Sequence, residues 1–338
     1  MRFCSISLAL GLALVAGPAA SAEEPAAPAD LAILNKIPGV GAGFDYASID
    51  AAARRLYVAR SDGVMAVDLD TLKVTDRLVP GEHVHAAVPL PNGRLLSTNG
   101  DSNTATLSDA ATGTVIAQIP TGKKPDAAVF DPASGLVLVM DGDEGDVTLV
   151  DPNTGTSPGR IPIGGKLEYA AVDGHGHAFV NVEDKEQIAV LDTAARKVVG
   201  HYALPGCDSP TALGLDPTTG LLLATCSNRK AIAVRAATGD VVAHLDIDRI
   251  PDAVIFDAVR QRFYVPCGRD GTLFVIEERP GAAPVVTGKI QTAQGAHTGA
   301  LDPKTGRLYV PTADFHLTFS GFQPEEGTFR ILVLGQPG

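Results

Sequence analysis

The chain has 338 residues, of which 45% are hydrophobic and 20% charged, and its formal net charge is −12. This length allows two ordinary domains or one large all-β domain. The acidic balance argues against a nucleic acid partner, because binding a polyanion needs a basic face.

The first predicted element is a signal peptide over residues 1–22. The segment carries one charge, at Arg2, then an apolar run over 6–16 and the small residues ASA before Glu23. This pattern is typical of secretory signals, and the run is short for a membrane-spanning helix. We expect a periplasmic or secreted, monomeric protein with no membrane span after cleavage. Residues 23–31, EEPAAPADL, predict a flexible N-terminal tether.

The rest of the chain is a repeat. A polar residue, four small or apolar residues and often an Asp recur in seven copies, for example PDAAVFDPASG (125–135) and PDAVIFDAVRQ (251–261). The polar positions, here called the ring residues, are spaced 40, 41, 42, 43, 41 and 45 residues apart. They are Asp45, His85, Asp126, Glu168, Thr211, Asp252 and His297.

Each copy has room for four short strands, in the third copy near 126–130, 136–141, 146–150 and 159–163. Turn segments such as DPASG and DPNTG separate them, and segments of helical period are absent. Repeats of about 40 residues with four strands each indicate propeller blades. The sequence therefore predicts an all-β fold, a seven-bladed β-propeller of four-stranded antiparallel blades, as a single domain over 32–338.

The last copy lacks a fourth strand before the chain ends. The N-terminal LNKIPGV resembles the PGRIPIG segment of the third copy, which is a predicted fourth strand. We therefore expect a strand near 32–38 to complete the last blade, which would leave no open sheet edge at the seam.

Three segments carry a resemblance to a known family. RLYVAR (55–60), RFYVPC (262–267) and RLYVPT (307–312) resemble the repeats of YVTN-repeat, YncE-like propellers. The resemblance covers about residues 32–336 and implies an exported propeller, but it implies no particular activity. The copies with LLSTNG and AFVNVE depart from the pattern, so blades two and four are the least supported.

The ring residues stand at the start of the innermost strands and should meet at one mouth of the central channel. His297, Asp45 and His85 are then consecutive around the closed ring, and this donor set predicts a candidate site for one divalent ion, Zn, Mn, Fe, Cu or Ca. His85 and His297 are also the candidate catalytic bases. Asp126, Glu168, Thr211 and Asp252 are the further candidate ligand-binding residues. A ring of solvated polar side chains with no ligand is the alternative.

Other residues are expected on the same face. Arg60, at the end of a second strand, could bind a carboxylate or phosphate of a ligand, or pair with Asp45. The insertion ADFHLTFSGFQPEEG (313–327) could form a lid whose Phe315 and Phe319 contact a ligand, or it could pack against the edge of its own blade. Cys207 and Cys226 are the nearest candidates for a disulfide, with Cys226–Cys267 and free thiols as alternatives.

Three functions fit these features. The first is a propeller that binds a small molecule, a metal ion or a periplasmic partner protein at the polar mouth. The second is a metal-dependent lactonase-type or lyase-type enzyme that uses the same His and Asp residues. The third is a scaffold that binds proteins without a central site. The sequence contains no nucleotide-binding or haem motif.

Overall fold

The computed structural model describes residues 28, 30–41, 43–279, 281–318 and 321–337, without the side chains of residues 317, 318, 321 and 322. The predicted signal peptide lies outside the described residues. Seven four-stranded antiparallel sheets form the blades of a propeller. Each innermost strand contacts the innermost strand of the next blade, and that of the last blade contacts the first. The predicted fold class is therefore confirmed.

The first six blades follow the chain order. Blades one and two contain β2 (Phe44–Asp50), β3 (Arg55–Arg60), β4 (Gly63–Asp68), β5 (Val74–Pro80), β6 (Val84–Leu90), β7 (Arg94–Asn99), β8 (Thr104–Asp109) and β9 (Val115–Pro120). Blades three and four contain β10 (Pro125–Asp131), β11 (Leu136–Asp141), β12 (Asp146–Asp151), β13 (Thr156–Pro162), β14 (Leu167–Val172), β15 (His177–Val182), β16 (Gln187–Asp192) and β17 (Lys197–Ala203). Blades five and six contain β18 (Pro210–Asp216), β19 (Leu221–Cys226), β20 (Lys230–Arg235), β21 (Val241–Asp246), β22 (Ile255–Asp257), β23 (Arg262–Cys267), β24 (Thr272–Glu277) and β25 (Val285–Gln291).

Blade seven joins the two ends of the chain. Its strands, from the channel outward, are β26 (Ala300–Asp302), β27 (Arg307–Thr312), β30 (Arg330–Gly335) and β1 (Ala32–Pro38). The predicted closing strand is therefore present over the predicted residues. A separate hairpin, β28 (Phe315–Thr318) and β29 (Gly321–Pro324), occupies the predicted insertion between β27 and β30. Among the described residues, two 3-10 turns, Pro91–Gly93 and Glu183–Lys185, are the only helical segments, and none is long and apolar enough to cross a membrane.

Burial follows the position of each strand in its blade. The second and third strands are packed between neighbouring blades, so they form continuous apolar runs, as in β19, where every residue is buried. The fourth strands form the outer rim, and β17 alternates between exposed and half-buried residues along its length. The departing segments LLSTNG and AFVNVE still supply ordinary second strands, β7 and β15.

The recurrent Asp after the innermost strand closes the first hairpin turn. In blade one, Asp50 Oδ1 accepts hydrogen bonds from the N–H groups of Ala52 and Ala53 at 3.0 and 2.9 Å. Asp131 and Asp257 accept the equivalent pairs in blades three and six. These Asp side chains therefore replace a backbone acceptor and fix the turn.

A disulfide stabilises blade five, and an ion pair fixes the N-terminal segment next to β1. Cys207 and Cys226 form the predicted disulfide, whereas Cys267 is a buried free thiol. Asp30 accepts two hydrogen bonds from Arg262 at 3.2 and 2.7 Å, and Leu31 is buried in the core. We therefore group these last two residues of the predicted tether with the propeller.

Candidate functional site

The ring residues of blades one to five lie at β-bulges. In blade one the register pairs Phe44 with Arg60 and then Ala47 with Val58, so one extra residue lies on the inner strand. The same shift follows the first pair of β6, β10, β14 and β18. In blades six and seven the corresponding segment is outside the regular strand, which shortens β22 and β26 to three residues. Bulges redirect side chains, and here they occur where the ring residues reach the mouth of the channel.

Three neighbouring ring residues form a candidate metal-binding group. His85 Nδ1 lies 2.6 Å from Asp45 Oδ2 and 3.5 Å from Asp126 Oδ1. One ligand atom from each residue lies within 4.8 Å of the others, and no other such group of three occurs among the described residues. Ligand atoms around a tetrahedral zinc ion are about 3.4 Å apart, given metal–ligand bonds of about 2.0–2.2 Å. Small side-chain adjustments would therefore bring all three atoms onto one ion.

The backbone leaves a space for the His85 ring. The residue is 8% exposed, and its Nε2 is buried with no hydrogen-bond partner among the described residues. A Cβ atom on Gly100 would lie 2.6 Å from Nε2, so the ring occupies the position that a side chain would need. The exposed ring of His83 lies against it, with 4.5 Å between ring centroids, and pairs with Asp101 at 3.2 Å. His85 is therefore held with Nδ1 towards the two carboxylates.

The other side of the ring has a different arrangement. Glu168 lies 3.6 Å from Lys166 Nζ, which also hydrogen-bonds Glu183. The hydroxyl of Thr211 donates to the carbonyl of Pro251 at 2.6 Å, so it links blades five and six. Asp252 Oδ2 lies 3.9 Å from His297 Nε2.

His297 lies outside the metal group. Its Nδ1 donates to the carbonyl oxygen of Gly295 at 2.6 Å, and its ring stacks on Phe44 at 5.0 Å. The structure thus brings two of the three predicted metal ligands, Asp45 and His85, together with Asp126. It does not bring His297 to the same point.

Burial and the closeness of the carboxylates to one another shift the pKa values of several ring residues. Burial raises the pKa of Asp126, and the charge of Asp45 raises it further. Burial likewise raises the pKa of Glu168 and of Asp252, each with help from neighbouring carboxylates. Burial opposes the charging of His85, but its hydrogen bond to Asp45 and the charge of Asp126 outweigh this, so its pKa is raised. A positive charge, as a proton or a metal ion, is therefore favoured between these side chains.

Two tyrosines that directly follow ring residues meet inside the channel. Tyr46 and Tyr169 meet edge to face with ring centroids 5.1 Å apart, and both line a cavity of about 280 Å³ in the channel. Burial raises the pKa of the Tyr46 phenol, and the charges of Asp252, Asp126 and other ring carboxylates raise it further. The tyrosine pair therefore lines the channel cavity close to the ring carboxylates. The sequence signal for this pair was a Tyr directly after the ring residue in copies one and four, where the others have Ala or Thr.

Arg60 is directed away from the ring. It is 4% exposed, donates to the carbonyls of Gly43 and Val40 at 2.6 Å each, and stacks over Phe329 at 3.7 Å. These carbonyls take its donors, and the contacts of Arg60 with described residues do not include the alternative ion pair with Asp45.

Phe315, a predicted ligand-binding residue, brings the β28–β29 hairpin close to the ring residue His297. A Cβ atom on Gly295 would lie 2.0 Å from the Phe315 ring, so Phe315 packs on the residue whose carbonyl holds His297. Phe319 lies outside the described residues.

No family model and no curated protein sequence matches the chain. Among solved structures, it is similar to a chain of the Kuenenia stuttgartiensis hydrazine synthase structure, with a TM-score of 0.69 and 14% identity over 86% of this chain and 96% of that one. It is also similar to a chain in the crystal structure of a mitotic checkpoint complex, with a TM-score of 0.74 and 12% identity over 99% of both chains. Identities this low show the fold alone.

The fold and the site together define a seven-bladed β-propeller with a candidate metal-binding His/Asp group at the channel mouth. The resemblance to YVTN-repeat propellers stays a prediction, because no family match supports it.

Proposed function

We propose that this protein binds one divalent transition metal ion at Asp45, His85 and Asp126. The observation that carries the proposal is the convergence of one imidazole nitrogen and two carboxylate oxygens within 4.8 Å. One nitrogen and two oxygens suit Zn, Mn or Fe better than Ca, which prefers oxygen ligands. Three protein ligands also leave a coordination position open for a bound molecule.

The negative charges around the candidate metal group favour a bound cation. His85 Nδ1 faces two carboxylates, and Asp252 and Glu168 lie further round the same ring. A divalent ion would neutralise Asp45 and Asp126 together, whereas a proton on His85 neutralises only one of them. The metal-bound state therefore relieves more of the repulsion among the buried carboxylates.

We place this binding protein in the periplasm or outside the cell. The Cys207–Cys226 disulfide supports this location, because disulfides persist in oxidising compartments. The signal-like pattern over residues 1–22 supports it independently.

A cobalt titration tests the proposal. Chelator-treated protein is titrated with Co²⁺, and the visible absorption of the bound ion reports its ligands and geometry. Asp45→Asn and Asp126→Asn should each weaken metal binding at least tenfold, because each removes the negative charge of a carboxylate ligand. Asp252→Asn is the matched control, since it removes a ring charge outside the group. If the control weakens binding as much as the ligand variants do, the ring is a diffuse counter-ion surface and the proposed site is wrong.

A metal-dependent hydrolytic enzyme is the second candidate, and one observation favours it. Burial lowers the pKa of His297, so its imidazole is uncharged near neutral pH, which is the form that a general base needs. Hydrolysis of simple lactones by the metal-loaded protein, abolished in His297→Ala with the metal retained, would support this candidate. Equal rates in both proteins would exclude His297 as the base.

A further inference from the structure

A second layer of residues, here called the collar, surrounds the ring on its solvent side in blades two to six. Each collar residue stands two positions before its ring residue. Its carbonyl oxygen accepts a hydrogen bond of 2.8–3.3 Å from the N–H of the residue after the second strand of the same blade. The collar residues are His83, Lys124, Lys166, Ser209 and Ile250.

The collar backbone is fixed by the fold. Four of its five members, His83, Lys124, Ser209 and Ile250, have φ between 46° and 58°, the left-handed conformation that non-glycine residues seldom adopt. Because this conformation recurs with the carbonyl hydrogen bond in blades two, three, five and six, it belongs to the architecture and is not local strain. The direction in which these four side chains leave the backbone is therefore set in advance.

Three adjacent collar residues are basic. His83, Lys124 and Lys166 belong to blades two, three and four, and the metal group belongs to blades one, two and three. Lys124 is exposed, and its Nζ has no hydrogen bond or ion pair with any described residue. Lys124 stands two residues before Asp126, and both lie against Gly142, whose N–H donates to the Lys124 carbonyl at 2.9 Å. The backbone that carries this ammonium group is therefore adjacent to the metal group.

The metal determines what this arrangement can bind. Without a cation, the carboxylates of Asp45 and Asp126 repel an anion and attract the Lys124 ammonium group. With a divalent ion in place, these two charges are neutralised, and Lys124 adjoins a Lewis acid with an open position, whereas Lys166 is already paired with Glu168 and Glu183. We infer that the metal ion and the basic collar residues together bind a small oxyanion, a carboxylate or a phosphate, which binds only when the metal is present. The inference rests on the proposed metal site and names the ligand class of that site.

Calorimetry on the full mature chain tests the inference in two steps. Zinc uptake is measured first, and malonate and inorganic phosphate are then titrated separately into zinc-loaded and chelator-treated protein. At least one of the two anions should bind the loaded protein at least tenfold more tightly than the chelator-treated protein. The anion that binds identifies the carboxylate or the phosphate branch of the ligand class.

Variants of the collar separate anion binding from metal binding. Lys124→Ala should weaken anion binding at least fivefold with zinc still bound, and Lys124→Arg should restore most of the affinity. Lys123→Ala is the matched control: it removes the same charge one residue away, where Nζ lies 3.8 Å from Glu144. This control should bind the anion as the unchanged chain does.

Equal anion affinity with and without zinc would overturn the inference. No effect of Lys124→Ala, or an equal loss in Lys123→Ala, would overturn it as well. A protein that takes up zinc but binds neither anion overturns the inference and leaves the proposed metal function standing. A protein that takes up no zinc overturns both.

Discussion

At His85 the packing leaves no room for a side chain on the facing residue. Gly100 has its Cα against the imidazole, and a Cβ there would lie 2.6 Å from Nε2 and 2.8 Å from Cδ2. This glycine does not have positive φ, so its backbone alone does not require glycine. The requirement comes from the ring of the candidate metal ligand.

We therefore expect Gly100→Ala to displace His85 and to lower metal affinity at least tenfold. Overpacking should also lower the free energy of unfolding by about 1–3 kcal/mol. Gly142→Ala is the control at the equivalent position of blade three, where the nearest atoms to a Cβ are 3.3 and 3.4 Å away and none belongs to an imidazole. Metal titration and urea unfolding of both variants check the prediction. Equal metal affinity in the two variants would contradict it.

The sequence predicted which residues belong to the ring, but it did not predict which of them lie close enough together to share a metal ion. Asp45, His85 and Asp126 were predicted from one repeated offset, and that offset requires only the blade period. The separation of His297 from the metal group depends on its stacking with Phe44 and on the Gly295 carbonyl. The Phe44 contact arises between segments that are far apart in the chain, and the Gly295 contact is made within a loop whose conformation the repeat pattern does not indicate.

At the scale of single strands, the innermost strands of the first five blades share a bulge that no residue type marks. Each bulge changes the register by one residue directly around the ring position. The alternation of apolar and polar residues locates these strands but cannot show an extra residue in the pairing. The sequence therefore predicted where the strands run and missed how they present the ring side chains.

The closing strand β1 was predictable because its sequence resembles a fourth strand elsewhere in the chain. Ile37 in this strand is 3% exposed and packs in the core, whereas Ile33 in the same strand is 37% exposed. We expect Ile37→Ala to lower the free energy of unfolding by about 2–5 kcal/mol, as buried large-to-small changes do. Ile33→Ala should cost less than about 1 kcal/mol. Urea unfolding checks both, and similar losses would mean that β1 is not packed as described.

Across the whole molecule, one ion pair joins the first blade to the last. Arg54 donates two hydrogen bonds to Asp302, at 2.7 and 2.9 Å, and the Asp302 side chain is fully buried. Arg54 also lies 3.2 Å from Asp70, whose side chain is 60% exposed. The same guanidinium group thus has one buried partner at the seam and one solvated partner.

We expect Arg54→Ala to lower the urea midpoint clearly, because it leaves a buried carboxylate without its cation. Asp70→Asn should have little effect, because exposed ion pairs contribute little. Burial pushes the pKa of Asp302 upward, but hydrogen bonds from Arg54 and Thr305 outweigh it and the net pKa is lowered. A lowered carboxyl pKa stabilises the fold above the unfolded value of about 3.9, and this stability is lost as the pH falls below it. The difference between the unchanged chain and Arg54→Ala should therefore shrink below about pH 4. A difference that stays constant from pH 7 to pH 3 would contradict this account.

The central claim is that His85, and not His297, holds a metal ion at the channel mouth. Elemental analysis of the protein after zinc loading and desalting, beside His85→Ala and His297→Ala, tests it most directly. The account predicts about one zinc ion per chain in the unchanged protein and in His297→Ala, and none in His85→Ala. Zinc retained equally by all three proteins would contradict it. A lack of zinc in all three would also contradict it, if incubation with Mn²⁺, Fe²⁺, Cu²⁺ and Ca²⁺ in turn leaves no bound metal either.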